Sequence, residues 1–230
     1  MFIFLDTETT GAGPDDRLCQ LAFKAGKRRA ECALFNPGKP IAVEAMAVHH
    51  ITNEMVKDKP AFQQSDMLRQ LRELIDDTNN TIVAHNAQFD VAMLNHEDIY
   101  PSRVICTLKL ARFLDRAGVI PQYGLQYLRY FLRLNVNAKA HDALGDITVL
   151  EALFKRIHSR FEQDAVQDIE NEMIRISNSP ILIPRMPFGK HKGALFSEIP
   201  ADYLQWLLGT DLDEDMTYTV RHHLGQAGNV

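Results

Sequence analysis

Four consecutive apolar residues, Phe2-Ile3-Phe4-Leu5, run without a break into Asp6-Thr7-Glu8-Thr9-Thr10-Gly11. An apolar run this short, with no polar alternation, reads as a strand covered on both faces, which calls for an α/β sheet with helices packed on either side. Such sheets present their ligands at the carboxyl ends of their strands, and here that end is acidic. Residues i and i+2 of an extended chain project to the same side, about 6.5–7 Å apart, so Asp6 and Glu8 are placed to face a pair of cations together. A bare Asp-x-Glu is uninformative in a chain with 30 acidic residues, and it recurs at Asp168-Ile169-Glu170. That second copy has no apolar strand before it and reads as a solvated surface.

A chain of 230 residues holds one well-cored domain of roughly 100–200 residues and a small appendage. No run approaches the ~18 apolar residues of a membrane span, and the opening run is too short for a signal peptide, so the expected compartment is the cytoplasm, with no membrane partner. Cys19, Cys32 and Cys106 form neither a disulfide framework nor a Cys-x-x-Cys zinc pair and read as buried thiols. The net charge of −5 argues against coating nucleic acid by an overall field, so any polyanion-binding surface must be local and assisted by cations.

Along the chain, residues 18–25 and 29–35 read as strands joined by a turn near Gly26, whose cluster Lys24, Lys27, Arg28 and Arg29 is most simply a solvated tip. A short helix over 41–50 ends in His49-His50, and a polar turn follows at Thr52-Asn53. Met67, Leu68, Leu71, Leu74 and Ile75 have helical spacing, predicting one helix over 62–77. After a strand at 81–84, Asn86 is a natural N-cap for a helix to about 96, which puts Asp90 in the first turn, where unpaired amides favour an anion. A strand at 104–106 and a helix over 107–116 come next, and Tyr123 and Tyr127 read as core wall. The best-patterned helix begins at Asp142 as N-cap, with Leu144, Ile147, Leu150, Phe154, Ile157 and Phe161 on its apolar side; it carries Asp146, and His141 precedes it. Residues 161–179 read as helix tail and linker. Lys190 and Lys192 stand in a glycine-bounded basic turn before an amphipathic helix over 200–208 that includes Trp206. A DNA contact and a solvated turn over a core-capping helix fit this stretch equally.

The segment Asp6-Thr-Glu8-Thr-Thr-Gly11 after an apolar strand, then His85-Asn86-Ala87-Gln88-Phe89-Asp90, then His141 five residues before Asp146, together resemble the three acidic motifs of the DEDD (DnaQ-like) 3′→5′ exonuclease superfamily, in its histidine branch. Val48-His49-His50-Ile51-Thr52 resembles a further segment of that family. Phe188-Gly189-Lys190-His191-Lys192-Gly193 followed by Asp202-Tyr203-Leu204-Gln205-Trp206-Leu207 is similar to the C-terminal segment of the bacterial exonuclease X group. His85 also stands five residues before an aspartate, so chain order rather than spacing assigns the third motif.

The resemblance implies an α/β, RNase H-like/DnaQ-like fold over residues 1–165, with a mixed central sheet flanked by helices, a linker over 166–186, and a small module over 187–230. It implies hydrolysis of DNA from the 3′ end to nucleoside 5′-monophosphates, on single- or double-stranded ends. Two Mg²⁺ or Mn²⁺ ions would be held by Asp6, Glu8, Asp90 and Asp146, with His141 as general base and Thr7, Thr9, His49, Asn86 and Phe89 around the substrate. Two positions depart from the family pattern: His50 where glycine is frequent, and Ala12 where a bulky apolar residue commonly wedges against a terminal base. An RNA exonuclease of the oligoribonuclease or RNase T type is the same-fold alternative, because no residue here visibly reads a 2′-hydroxyl. A non-catalytic nucleic-acid- or polymerase-binding module would be expected to lack an acid, and none is missing. A homodimer is left open.

Overall fold

The computed structural model describes residues 1–137 and 143–225. In chain order the elements are β1 (Phe2–Thr9), β2 (Leu18–Ala25), β3 (Glu31–Leu34), α1 (Val43–His49), α2 (Asn53–Val56), α3 (Asp66–Asp76), β4 (Thr81–Ala84), α4 (Ala87–Asn95), β5 (Val104–Cys106), α5 (Thr107–Leu114), α6 (Leu125–Phe131), α7 (Ala143–Gln163), α8 (Ile169–Ser177), α9 (Ala201–Leu207) and α10 (Glu214–His223). The sheet runs β3-β2-β1-β4-β5, with β1 antiparallel to β2 and parallel to β4, and β4 parallel to β5. It is therefore a mixed sheet, and the unbroken apolar strand lies at its centre, as a strand buried on both faces must.

Alternation along β1 divides the core. Phe4 faces a cluster built with Leu150, Leu153, Phe154 and Ile157 of α7, where the Phe154 ring lies 5.4 Å from that of Phe4 and 4.7 Å from that of Phe2. Ile3 and Leu5 face the opposite cluster, with Leu68 and Leu71 of α3 and Met93 and Leu94 of α4. Even-numbered residues of β1 thus point toward α7 and odd-numbered ones toward α3 and α4.

Several expectations from the sequence change in the fold. The helix expected from residue 62 is split into a 3-10 turn at Phe62–Gln64 and α3, because Ser65 is extended and its hydroxyl accepts the Leu68 N–H at 3.2 Å as an N-cap. The turn expected at Thr52-Asn53 opens a single helical turn, α2. On α7, Leu144 is 38% exposed, and Val149 and Leu153 are buried instead. The expected linker contains α8, whose Met173 and Ile176 join the main core. Asp168-Ile169-Glu170 is also more than a solvated surface. Asp168 caps α8, and Glu170 accepts the Thr81 hydroxyl at 2.5 Å and the Arg103 guanidinium at 3.0 Å. Asp142, the expected cap of α7, lies outside the described residues.

The C-terminal part has its own apolar cluster of Ile183, Met186, Phe196, Leu204, Leu207, Met216 and Val220. It is anchored to the sheet domain by a buried ion pair, Lys109–Asp215 at 3.2 Å, in which Lys109 also donates to the Ser179 carbonyl at 2.8 Å. Lys109 lies in the first turn of α5, at the carboxyl end of β5, which is the end of the sheet where Asp6 and Glu8 stand. Trp206 does not complete the apolar side of α9: it is 60% exposed, while Leu204 and Leu207 are buried. Among the described residues, no helix is long and apolar enough to cross a membrane.

Candidate active site

Asp6 and Glu8 emerge on the α7 side of β1, paired with Ala22 and Gln20 of β2. The pairing of β1 with β4 ends at Phe4–Val83, so both acids lie beyond the carboxyl end of β4, where α4 begins. Asp90, in the first turn of α4 and 4% exposed, reaches the same place. It accepts the Thr7 hydroxyl at 2.7 Å and hydrogen bonds from backbone amides, including that of Thr7. Asp146, in the first turn of α7, supplies the fourth carboxylate and accepts a hydrogen bond from the side-chain amide of Gln126 on α6.

The electrostatics show that the four are close enough to act on one another. Burial and then the charges of Asp90, Glu8 and Asp146 hold the Asp6 carboxyl well above the usual range. Burial and the Asp146 charge push Glu8 up to about 7. Burial lifts Asp90 to about 7 against the opposing hydrogen bonds from Thr7 and the backbone, with Glu8 adding to the rise. Among the described residues, the charges that act on these three groups are those of carboxylates, a mutual repulsion that bound cations would relieve. All four donors are hard oxygen ligands, suited to Mg²⁺, Mn²⁺ or Ca²⁺. Among the described residues, no three acids or histidines converge into a ready-made ion cage. Asp90 and Asp146 each rest one carboxylate oxygen on a neutral donor, Thr7 and Gln126, which fixes the side chain beside its like-charged neighbours.

The other candidate residues separate by what their side chains touch. Thr7 and Thr9 are each 5% exposed, and their hydroxyls donate inward, to Asp90 and to the Gly11 carbonyl at 2.6 Å, so both brace the strand end that carries the acids. His49 is 8% exposed and bridges backbone: its Nδ1 accepts the Ile51 N–H at 3.0 Å and its Nε2 donates to the Thr9 carbonyl at 3.1 Å. Burial lowers its pKa, and the ring is a strut bracing the end of β1. Asn86 occupies the N-cap position in left-handed backbone, without a side-chain cap, and is exposed. Phe89 packs partly against the α3–α4 core. Gly11 allows the turn that follows the acids, because a Cβ there would meet the Asp16 carboxylate at 2.5 Å. His141 lies outside the described residues.

The surroundings of His85 separate it from a proton-transfer role. Its Nε2 donates to the Tyr123 carbonyl at 2.7 Å, its Nδ1 lies 3.0 Å from the Thr107 hydroxyl, and burial lowers its pKa to about 4. Gln126 and the inward role of Thr7 are not legible in sequence: Gln126 stands 20 positions from Asp146 in a helix read only for its apolar pattern. Cys19, buried beside the site, has its thiol pushed up to about 12 by burial and by the Glu8 charge, and stays protonated.

A carboxylate cluster at the end of a central strand, in a mixed sheet flanked by helices, defines a class of metal-dependent phosphodiester hydrolases. The chain belongs to the exonuclease family, whose model, RNase_T, matches residues 3–154, and its fold is the RNase H-like, DnaQ-like exonuclease fold. It is 32% identical over 200 residues to exodeoxyribonuclease 10 of Escherichia coli K12, covering 83% of each chain. It is also 32% identical over 166 residues to the DNA polymerase III epsilon subunit of Treponema pallidum, covering 66% of this chain and 74% of that subunit. Among solved structures it is similar to exonuclease X in complex with 5′ overhanging duplex DNA, at 28% identity and a TM-score of 0.60, over 77% of this chain and 100% of that one. Residues 179–212 match a second family model, that of a putative quorum-sensing-regulated virulence factor.

Proposed function

We propose that the protein is a 3′→5′ exodeoxyribonuclease of the exonuclease X type, releasing nucleoside 5′-monophosphates from DNA ends with two Mg²⁺ or Mn²⁺ ions. The observation that carries this reading is the convergence of Asp6, Glu8, Asp90 and Asp146 on one strand end, with the pKa values of Asp6, Glu8 and Asp90 raised together by burial and mutual charge. The DNA-bound state of the similar exonuclease X supports DNA as the substrate class.

Asp6, Glu8, Asp90 and Asp146 would hold the ions, which when bound would make a water more acidic and relieve charge on the scissile phosphate. The Thr7 hydroxyl fixes the rotamer of Asp90, and Gln126 does the same for Asp146, so both carboxylates are oriented in advance of binding. His49 and Gly11 hold the turn that follows the acids. His141, placed by chain order just before α7, would take the proton from the attacking water, a contribution of roughly 10²–10⁴ in rate.

The test is digestion of end-labelled DNA and RNA oligonucleotides of one sequence. Labelled at the 5′ end, DNA is expected to shorten one nucleotide at a time from the other end, faster than RNA, and excess EDTA or Asp6→Ala should abolish this. His141→Ala should keep DNA binding and lose turnover, with a flattened acidic limb in the pH–rate profile. RNA turnover equal to or faster than that of DNA would move the assignment to the oligoribonuclease type. Binding without turnover would leave a nucleic-acid-binding module.

A further inference from the structure

The glycine-bounded turn and α9 together form a surface that the carboxylate cluster does not use. Gly189 and Gly193 have φ of +70° and +85°, and a Cβ on Gly189 would meet the Tyr203 hydroxyl at 2.9 Å. The turn is braced from inside: the Gly193 N–H donates to the Met186 carbonyl at 2.8 Å, and the Arg185 guanidinium donates to the carbonyls of Gly193 and Gly118, each at 2.6 Å. On this rigid base the His191 ring lies 4.6 Å from that of Tyr203, which lies 5.4 Å from that of Trp206. Lys190 and Lys192, both exposed, stand on either side of His191 in the chain. Asp202, which precedes Tyr203, accepts the Tyr203 N–H at 2.8 Å.

We infer that the exposed Trp206 ring, braced by Tyr203 tilted at 40° to it and His191 at 70° to Tyr203, and accompanied by Lys190 and Lys192, is a stacking platform for the single-stranded part of a DNA substrate. A tryptophan 60% exposed on a helix whose leucines at 204 and 207 are buried offers a π-face, and the exposed lysines on either side of His191 offer charge to a phosphate backbone. This pairing of flat rings with cations matches a strand that presents bases and phosphates in alternation. The module is pinned by Lys109–Asp215 at the carboxyl end of β5, the end of the sheet at which the carboxylates stand. The inference rests on the exonuclease reading and adds a second contact that is independent of the metals.

The chain holds one tryptophan, so its fluorescence reports on this surface alone. Full-length protein in EDTA, which prevents digestion, is titrated with oligo(dT) at low salt and with an abasic strand of equal length. The expected result is saturable quenching by oligo(dT) and little or none by the abasic strand. Trp206→Ala should weaken binding, read by anisotropy of labelled oligo(dT), roughly 10-fold. Lys190→Ala with Lys192→Ala should make the dependence of log affinity on log salt shallower by about 0.7 for each phosphate no longer neutralised. Quenching absent while anisotropy reports binding, equal quenching by the abasic strand, or unchanged affinity of Trp206→Ala would overturn the inference; the last would be the behaviour of a surface reserved for a protein partner. Nuclease assays on the same preparation keep the two readings apart, since digestion without quenching sinks only the platform, and quenching without digestion sinks only the nuclease.

Discussion

Replacing Glu8 by glutamine should stabilise the metal-free protein above neutral pH while destroying the cation site. The Glu8 carboxyl rises from an ordinary 4.5 to about 7 in the fold, through burial and the Asp146 charge. Between those values the native state binds more protons than the unfolded chain, so stability falls as pH rises through this window and the full penalty is present above it. A displacement of that size corresponds to at most about 3 kcal/mol, and screening at a carboxyl that is only partly buried reduces the expectation to about 2 kcal/mol. For a chain of this length about 1 kcal/mol moves Tm by about 2–4 °C, so Glu8→Gln in EDTA should melt roughly 4–8 °C higher than the wild type at pH 8. Near pH 4 the two proteins should coincide. Saturating Mn²⁺ should reverse the order, because only the wild type gains the stabilisation of bound ions. Thermal melts at several pH values with and without metal measure all of this. A Tm difference independent of pH, or a Glu8→Gln protein less stable than the wild type in EDTA at pH 8, would refute the claim that uncompensated carboxylate charge is stored at this site.

Three other outcomes are expected. Gln126→Ala removes the amide that orients Asp146, so metal titrations of activity should show a higher metal requirement and turnover lower by roughly 10-fold, with the fold unchanged by circular dichroism. His50 has φ of 62° at the end of α1, a backbone conformation that favours glycine; His50→Gly should raise stability by up to ~1 kcal/mol in urea unfolding, and a decrease would show that the imidazole holds the turn by its own contacts. Lys109→Met leaves Asp215 buried without its cation and should cost about 3–5 kcal/mol, so limited proteolysis should open the region of 179–225 before the sheet domain; a chain that resists cleavage as well as the wild type would mean that the module is held by apolar packing alone.

What the sequence determined by itself was local. The unbroken run Phe2–Leu5 could be buried on both faces only as a central strand, and the i, i+2 periodicity of β1 placed Asp6 and Glu8 on one side before any partner was known. The spacing of Ile147, Leu150, Phe154, Ile157 and Phe161 implied a helix carrying Asp146 at its start, and Asn86 marked the helix that brings Asp90. Only the tertiary structure decided the rest, because it depends on what lies across from each residue. α8 was hidden because its packing residues, Met173 and Ile176, are sparse in a polar stretch whose burial partners are distant in sequence. The partners of Thr7, His49 and His85, namely Asp90, Thr9 and Tyr123, were likewise beyond the reach of local pattern. Trp206 followed the apolar spacing of its helix and yet faces outward, since helical period fixes which residues share a face and not how wide the covered stripe is. The raised pKa values at the strand end belong to the same class: acids dispersed along the chain from Asp6 to Asp146 became one electrostatic unit only when β1, α4 and α7 met at one end of the sheet.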